Sequence, residues 1–144
     1  MAKTIITGVD GSDEATRAAH KAAELAQALG AELHVISAFG KFEMDTISTG
    51  GEEFVVSSMG EAENLTWRVA AGLRREFPDL EIKAAPAEGK PAEALVEVAE
   101  RLDADLIVVG NKRVQGPLRV LGSVAREVAA HANCDVYVVH TYQR

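Results

Sequence analysis

The chain has 144 residues, 47% hydrophobic and 26% charged, with 22 Asp and Glu against 15 Lys and Arg and a formal net charge of −7. One ordinary soluble domain with a sizeable core is expected, spanning 1–144, and the acidic balance argues against nucleic-acid binding, which needs a basic face. No apolar run approaches the ~20 residues of a membrane helix, the N-terminal apolar stretch is too short for a signal sequence, and the single cysteine, Cys134, suits a reducing cytosol, so a cytoplasmic protein without membrane contact is expected.

Lys3 to Val9, "KTIITGV", is a short β-branched run closed by turn residues, as in a buried strand. Ser12 is positioned to cap the helix that follows. Asp13 and Glu14 suit its positive end, Ala15, Ala18, Ala22, Leu25, Ala26 and Leu29 recur at helical spacing, and Gly30 stops it. "AELHVISAF" reads as a second strand. The span Gly40 to Met59 is long for a connection of this kind and reads as a loop. A second helix, Glu61 to Phe77, places Leu65, Val69, Gly72 and Leu73 on one face, with Trp67 expected partly in the core. "LEIKAAP" is a third strand, and "KPAEALVEVAERLD" a third helix with Pro91 in its first turn. "DLIVVG" is a fourth strand, apolar throughout as in a parallel sheet covered on both faces. "SVAREVAAHA" is a fourth helix and "CDVYVVHT" a fifth strand, with Cys134 a small apolar filler before it.

Strand and helix alternate from end to end. The fold class is therefore α/β: an open, doubly wound, five-stranded parallel sheet with about four helices and right-handed crossovers. Ligands in such folds bind beyond the carboxyl ends of strands, where the strand order reverses. Two Gly-rich turns qualify, "GVDGSDE" after the first strand and "GNKRVQGPLRVLGSV" after the fourth. The first carries Asp10, Asp13 and Glu14 and would repel a phosphate. The second carries Lys112, Arg113 and Arg119, then Gly122 and Ser123 at a helix start, where free N–H groups attract anions. Any phosphate is expected at the second turn, with the Ser123 hydroxyl capping its helix or donating to the phosphate. Asp10 is left to accept hydrogen bonds from a base or sugar. No Walker or G-x-G-x-x-G motif occurs.

"IITGVDGSDEATRAAHKAAELA" and "DLIVVGN…LGSVAREVAAHANCDVYVVH" resemble the opening and closing blocks of the universal stress protein family. That resemblance implies a sheet order of 3-2-1-4-5, an adenine-nucleotide alpha-hydrolase-like fold, binding of ATP or AMP (with a divalent metal accompanying ATP, or cyclic AMP instead), a stress-response role, and homodimers formed through the last strand. Asp10 then matches the acid that meets the adenosine. Gly8, Val9 and Val35 match the backbone and wall around the base. Gly110, Gly122, Ser123 and Val124 match the ends of the family's Gly-x2-Gly-x9-Gly-Ser/Thr motif. The middle departs from it: Arg113 stands where the second glycine belongs, and Gly110 and Gly122 are one residue too close. Two outcomes stay open. Lys112 and Arg113 replace the missing backbone donors, or the altered loop fills the pocket and the chain is a nucleotide-independent dimeric interaction protein. No general base stands near the proposed phosphates, which leaves at most slow ATP hydrolysis.

Overall fold

The computed structural model describes residues 3–40, 58–111 and 122–140. In chain order the elements are β1 (Lys3–Gly8), α1 (Asp13–Leu29), β2 (Ala31–Phe39), α2 (Met59–Glu76), β3 (Ile82–Glu88), α3 (Pro91–Leu102), β4 (Leu106–Gly110), α4 (Ser123–His131) and β5 (Asp135–Val139). All strand pairs are parallel, and the sheet order is β3-β2-β1-β4-β5. The order runs outward from β1 in both directions, so the helices divide between the two faces. α1 and α2 cover one core with Ile5, Leu33, Val35 and Val108. α3 and α4 cover the other with Ile6, Ile36, Ile107 and Val109.

The ends of the helices follow from local chemistry. The Ser12 side chain accepts from the Ala15 N–H, and Gly30 closes α1 at φ 68°. α2 begins two residues before the sequence pattern suggests, because Ser58 and Glu61 form a capping box. Lys90 is the cap of α3, with Pro91 next to it. β3 lies two residues later than expected and includes Pro86, which an edge strand tolerates because its outer N–H side needs no partner. The six buried residues of α1 are all alanine, so that helix seats close to the sheet. Close seating also explains Gly8. A Cβ there would stand 3.0 Å from Leu95 Cδ1, so the absent side chain is what lets α3 pack onto β1.

Trp67 is 62% exposed, contrary to the sequence expectation. The buried side of α2 is formed by Ala62, Thr66, Ala70 and Leu73, and Trp67 falls outside that arc. Cys134 is half-buried against the second core, where burial, and then Asp135 and Asp105, push its thiol pKa up.

Near the N-terminal ends of the strands, His34 Nε2 lies 2.9 Å from Glu32 Oε2, and Lys83 Nζ lies 3.9 Å from Glu32 Oε1. The His34 hydrogen bond is the main cause that holds the Glu32 carboxyl below its ordinary value of 4.5, against an opposing desolvation cost. A carboxyl lowered in the folded state stabilises above its unfolded pKa and loses that contribution as pH falls through the lowered value. Glu32→Gln should therefore flatten the fall in melting temperature between about pH 5 and pH 3. Thermal melts at a series of pH values check this, and parallel curves for the two proteins would refute it.

Candidate functional site

The place where β1 and β4 part is set by register. Their pairing ends at Thr7 opposite Val108. There the buried Thr7 hydroxyl donates to the Val108 carbonyl at 2.9 Å. Beyond that point each strand turns to its other neighbour. Gly8 pairs with Ile36, and the Val9 N–H donates to the Ile36 carbonyl. Gly110 pairs with Val139, and the Asn111 N–H donates to the Val139 carbonyl. The two strand ends part here toward different neighbours, and this reversal of strand order is where open α/β sheets form their ligand crevice.

The β1 side of the crevice is a self-satisfied turn. Gly11 at φ 90° folds the chain back. Asp10 Oδ1 accepts from the Ser12 N–H at 2.9 Å and from the Ser12 hydroxyl at 2.6 Å. The Ser12 oxygen in turn accepts from Ala15 N–H. The start of α1 is thus closed by its own serine, with Asp13 and Glu14 in the first turn. Asp10 is exposed, and its Oδ2 takes no part in these bonds.

The start of α4 has the opposite character. Its cap is Gly122, which accepts from the Arg126 N–H through its backbone carbonyl. Among the described residues no side chain caps this helix, and its first turn holds no acid. Ser123 is the first helical residue rather than the cap, so its hydroxyl does not close the helix as the sequence suggested. Its side chain and that of Val124 are half-buried. The Gly122 N–H is taken by Asn111 Oδ1 at 2.8 Å. This bond ties the end of β4 to the start of α4 across eleven residues, leaving the amides that follow Gly122 as the uncapped end of the helix. Gly122 itself sits at φ −64° and ψ 167°, a conformation any residue adopts.

Gly8, Val9, Asp10, Gly110, Gly122, Ser123 and Val124 therefore stand on elements that border or lead into the crevice. Val35 differs: it is wholly buried in the α1 and α2 core, and its side chain can only back the wall from behind. Lys112 and Arg113 lie outside the described residues, as do Gly116, Pro117, Arg119 and positions 41–57 of the long connection. Asn111 is the residue that sequence reading missed. Its signal was its place directly after the last β4 residue, but its partner is fixed only by the fold. No helix among the described residues is long and apolar enough to cross a membrane.

Comparison with known proteins agrees along the chain. A family model described as the universal stress protein family matches residues 1–140. A universal stress protein of Thermus aquaticus is 37% identical over 143 residues, covering 96% of this chain and 99% of that one. The crystal structure of a universal stress protein in complex with cAMP superposes with a TM-score of 0.72 at 31% identity, over 97% of this chain and 98% of the other. The universal stress protein from Archaeoglobus fulgidus in complex with dAMP gives 0.69 at 25% identity, over 97% and 98%. The family model spans both the Asp10 turn and the Gly122-Ser123 helix start, the relatives match nearly end to end, and the chain belongs to the universal stress protein family.

Proposed function

We propose that the chain holds an adenine nucleotide in the crevice between β1 and β4, and that its output is regulatory, in a cytoplasmic stress response. The observation that carries this reading is the contrast between the two helix starts. α1 is capped and acidic, while α4 has no side-chain cap among the described residues and no acid in its first turn. An anion is favoured at the second and opposed at the first. Two structurally similar family members are complexed with cAMP and dAMP, which supports an AMP-type occupant. On this reading Asp10 meets the adenosine, held in place by its bonds to Ser12. Gly8, Val9 and Val35 back the base. The Ser123 and Val124 amides and the Ser123 hydroxyl meet the phosphate, and Gly110 leaves room beside it. Lys112 and Arg113 add charged donors for AMP or ATP. A divalent ion would arrive on the phosphates of ATP, since the described residues gather no set of three or more side chains that could hold a metal by themselves. β5 is a sheet edge with Tyr137 exposed, which favours a homodimer formed by pairing that edge across a two-fold axis.

Calorimetric titration with AMP, cyclic AMP, ATP and adenosine tests the reading. Asp10→Ala should weaken all four by a similar factor, about 1.5–3 kcal/mol for a hydrogen bond to a charged group. A selective loss for ATP would place Asp10 at the phosphates and refute the assignment. If the wild-type chain binds none of them, the shortened motif closes the pocket, and the nucleotide-independent dimeric reading stands instead.

A further inference from the structure

α2 lies over β2 and β3, at the end of the sheet remote from β5. Two of its polar contacts mark its two sides. Glu76 Oε2 meets His20 Nε2 of α1 at 2.7 Å. Arg74 Nη2 donates to the Ile82 carbonyl of β3 at 2.7 Å. Trp67 stands two turns before Arg74, so it lies on the β3 side, away from α1. The same strip, at spacings of three and four, holds Gly60, Glu63, Trp67, Ala71 and Arg74.

Three features of this strip point to a partner. Trp67 is 62% exposed, and one turn to either side stand Glu63 and the small Ala71. Trp is among the residues most enriched at the energetic centres of interfaces. Trp67 also stands at the middle of the helix, eight residues after Met59 and nine before Glu76. Charge is divided about it, with Glu63 on the N-terminal side and Arg74 on the C-terminal side, both exposed. Reversed about the midpoint of Glu63 and Arg74, one to two residues beyond Trp67, the strip sets Glu63 of one copy against Arg74 of the other. Pro86 blunts the neighbouring β3 edge, so this end of the sheet is not built to extend by strand pairing.

We infer that this side of α2 is a homotypic docking surface, on which a second copy of the chain packs its own α2 antiparallel about a two-fold axis near Trp67. The two indoles meet at the axis. Glu63 reaches the partner's Arg74, and the same pair repeats on the other side, as an isologous contact requires. The small Gly60 and Ala71 let the two helices approach. The divided charge selects the antiparallel arrangement, because a parallel one would bring like charges together. This contact is separate from the β5 edge and from the nucleotide reading.

Trp67 is the sole tryptophan, so its emission reads this surface alone. Emission and sedimentation are followed together from micromolar to millimolar protein. The emission should move to shorter wavelength as the assembly grows. Trp67→Ala should weaken the growth by about tenfold or more with unchanged circular dichroism. Glu63→Arg should also weaken it, and an equal mixture of the Glu63→Arg and Arg74→Glu chains should associate more tightly than either alone. Emission that stays constant over the whole range would overturn the inference, whatever the oligomeric state. So would association that is indifferent to Trp67→Ala, since pairing through β5 alone gives that result.

Discussion

Asn111→Asp should lower ATP affinity by about ten- to a hundredfold, lower AMP affinity less, and leave adenosine nearly unchanged. Aspartate keeps the side-chain oxygen that accepts the Gly122 N–H, so the tie between β4 and α4 survives. What changes is charge. A carboxylate replaces a neutral amide beside the end of α4 that the phosphates are proposed to use. Unit charges about 4 Å apart interact with roughly 4 kcal/mol near a protein surface, and partial exposure and salt reduce this to about 1.5–3 kcal/mol. ATP carries more charge than AMP and loses more, while adenosine carries none. Titrating the three ligands into both proteins checks the ranking. A uniform loss that includes adenosine would mean that the crevice itself has changed shape, and equal affinities for the two proteins would remove the phosphate from this end of α4.

Leu95→Ala should destabilise the fold by about 2–5 kcal/mol, the range for a buried leucine truncated to alanine. Leu95 is 4% exposed, and its methyl groups fill the space that Gly8 leaves open beneath α3. Gly8→Val places an isopropyl group into those same methyls and should cost about 1–3 kcal/mol by overpacking. The two changes share one volume, so they cannot add. The double variant should be more stable than the sum of the single losses by about 0.5–3 kcal/mol, the range for residues in contact. Urea unfolding of all four proteins measures the coupling. Strict additivity would show that α3 shifts to absorb each change separately.

Where the sequence could be read, the cause was local. β2 was legible to the residue, because "AELHVISAF" is bounded by the end of α1 and by Gly40. Ser12 was legible as a cap, because side chain and amide are three residues apart. The start of α2 was missed by two residues, although Ser58 and Glu61 carry the capping-box spacing, because the long connection before it hid where the helix begins. Trp67 was misplaced because hydrophobicity was allowed to stand for direction. Its angle on the helix puts it outside the arc of Ala62, Thr66, Ala70 and Leu73. At the candidate site the acid-rich and acid-free helix starts were visible as composition. The Asn111 bond to Gly122 was not, because it depends on how β4 and α4 are set against each other. Val35 matched the family by position, but its full burial depends on where α1 and α2 sit.

The central place of β1 has a consequence for synthesis. One edge of β1 finds its partner early, in β2, within a few tens of residues. The other edge waits for β4: the bond from the Thr7 hydroxyl to the Val108 carbonyl and the bond from the Thr4 N–H to the Asp105 carboxylate each span 101 residues. Chains emerge at roughly 5–20 residues per second, and their N-terminal parts organise first. While the ribosome works, β1, β2, α1, α2 and β3 can close one face of the sheet, but the inner edge of β1 stays open until β4 has left the exit tunnel. The nascent protein thus spends seconds as a three-stranded half-domain with an apolar strand edge uncovered, the state in which a holding chaperone has the most to grip. The crevice cannot exist before its second wall is made, so its occupant can help only with the last step of folding.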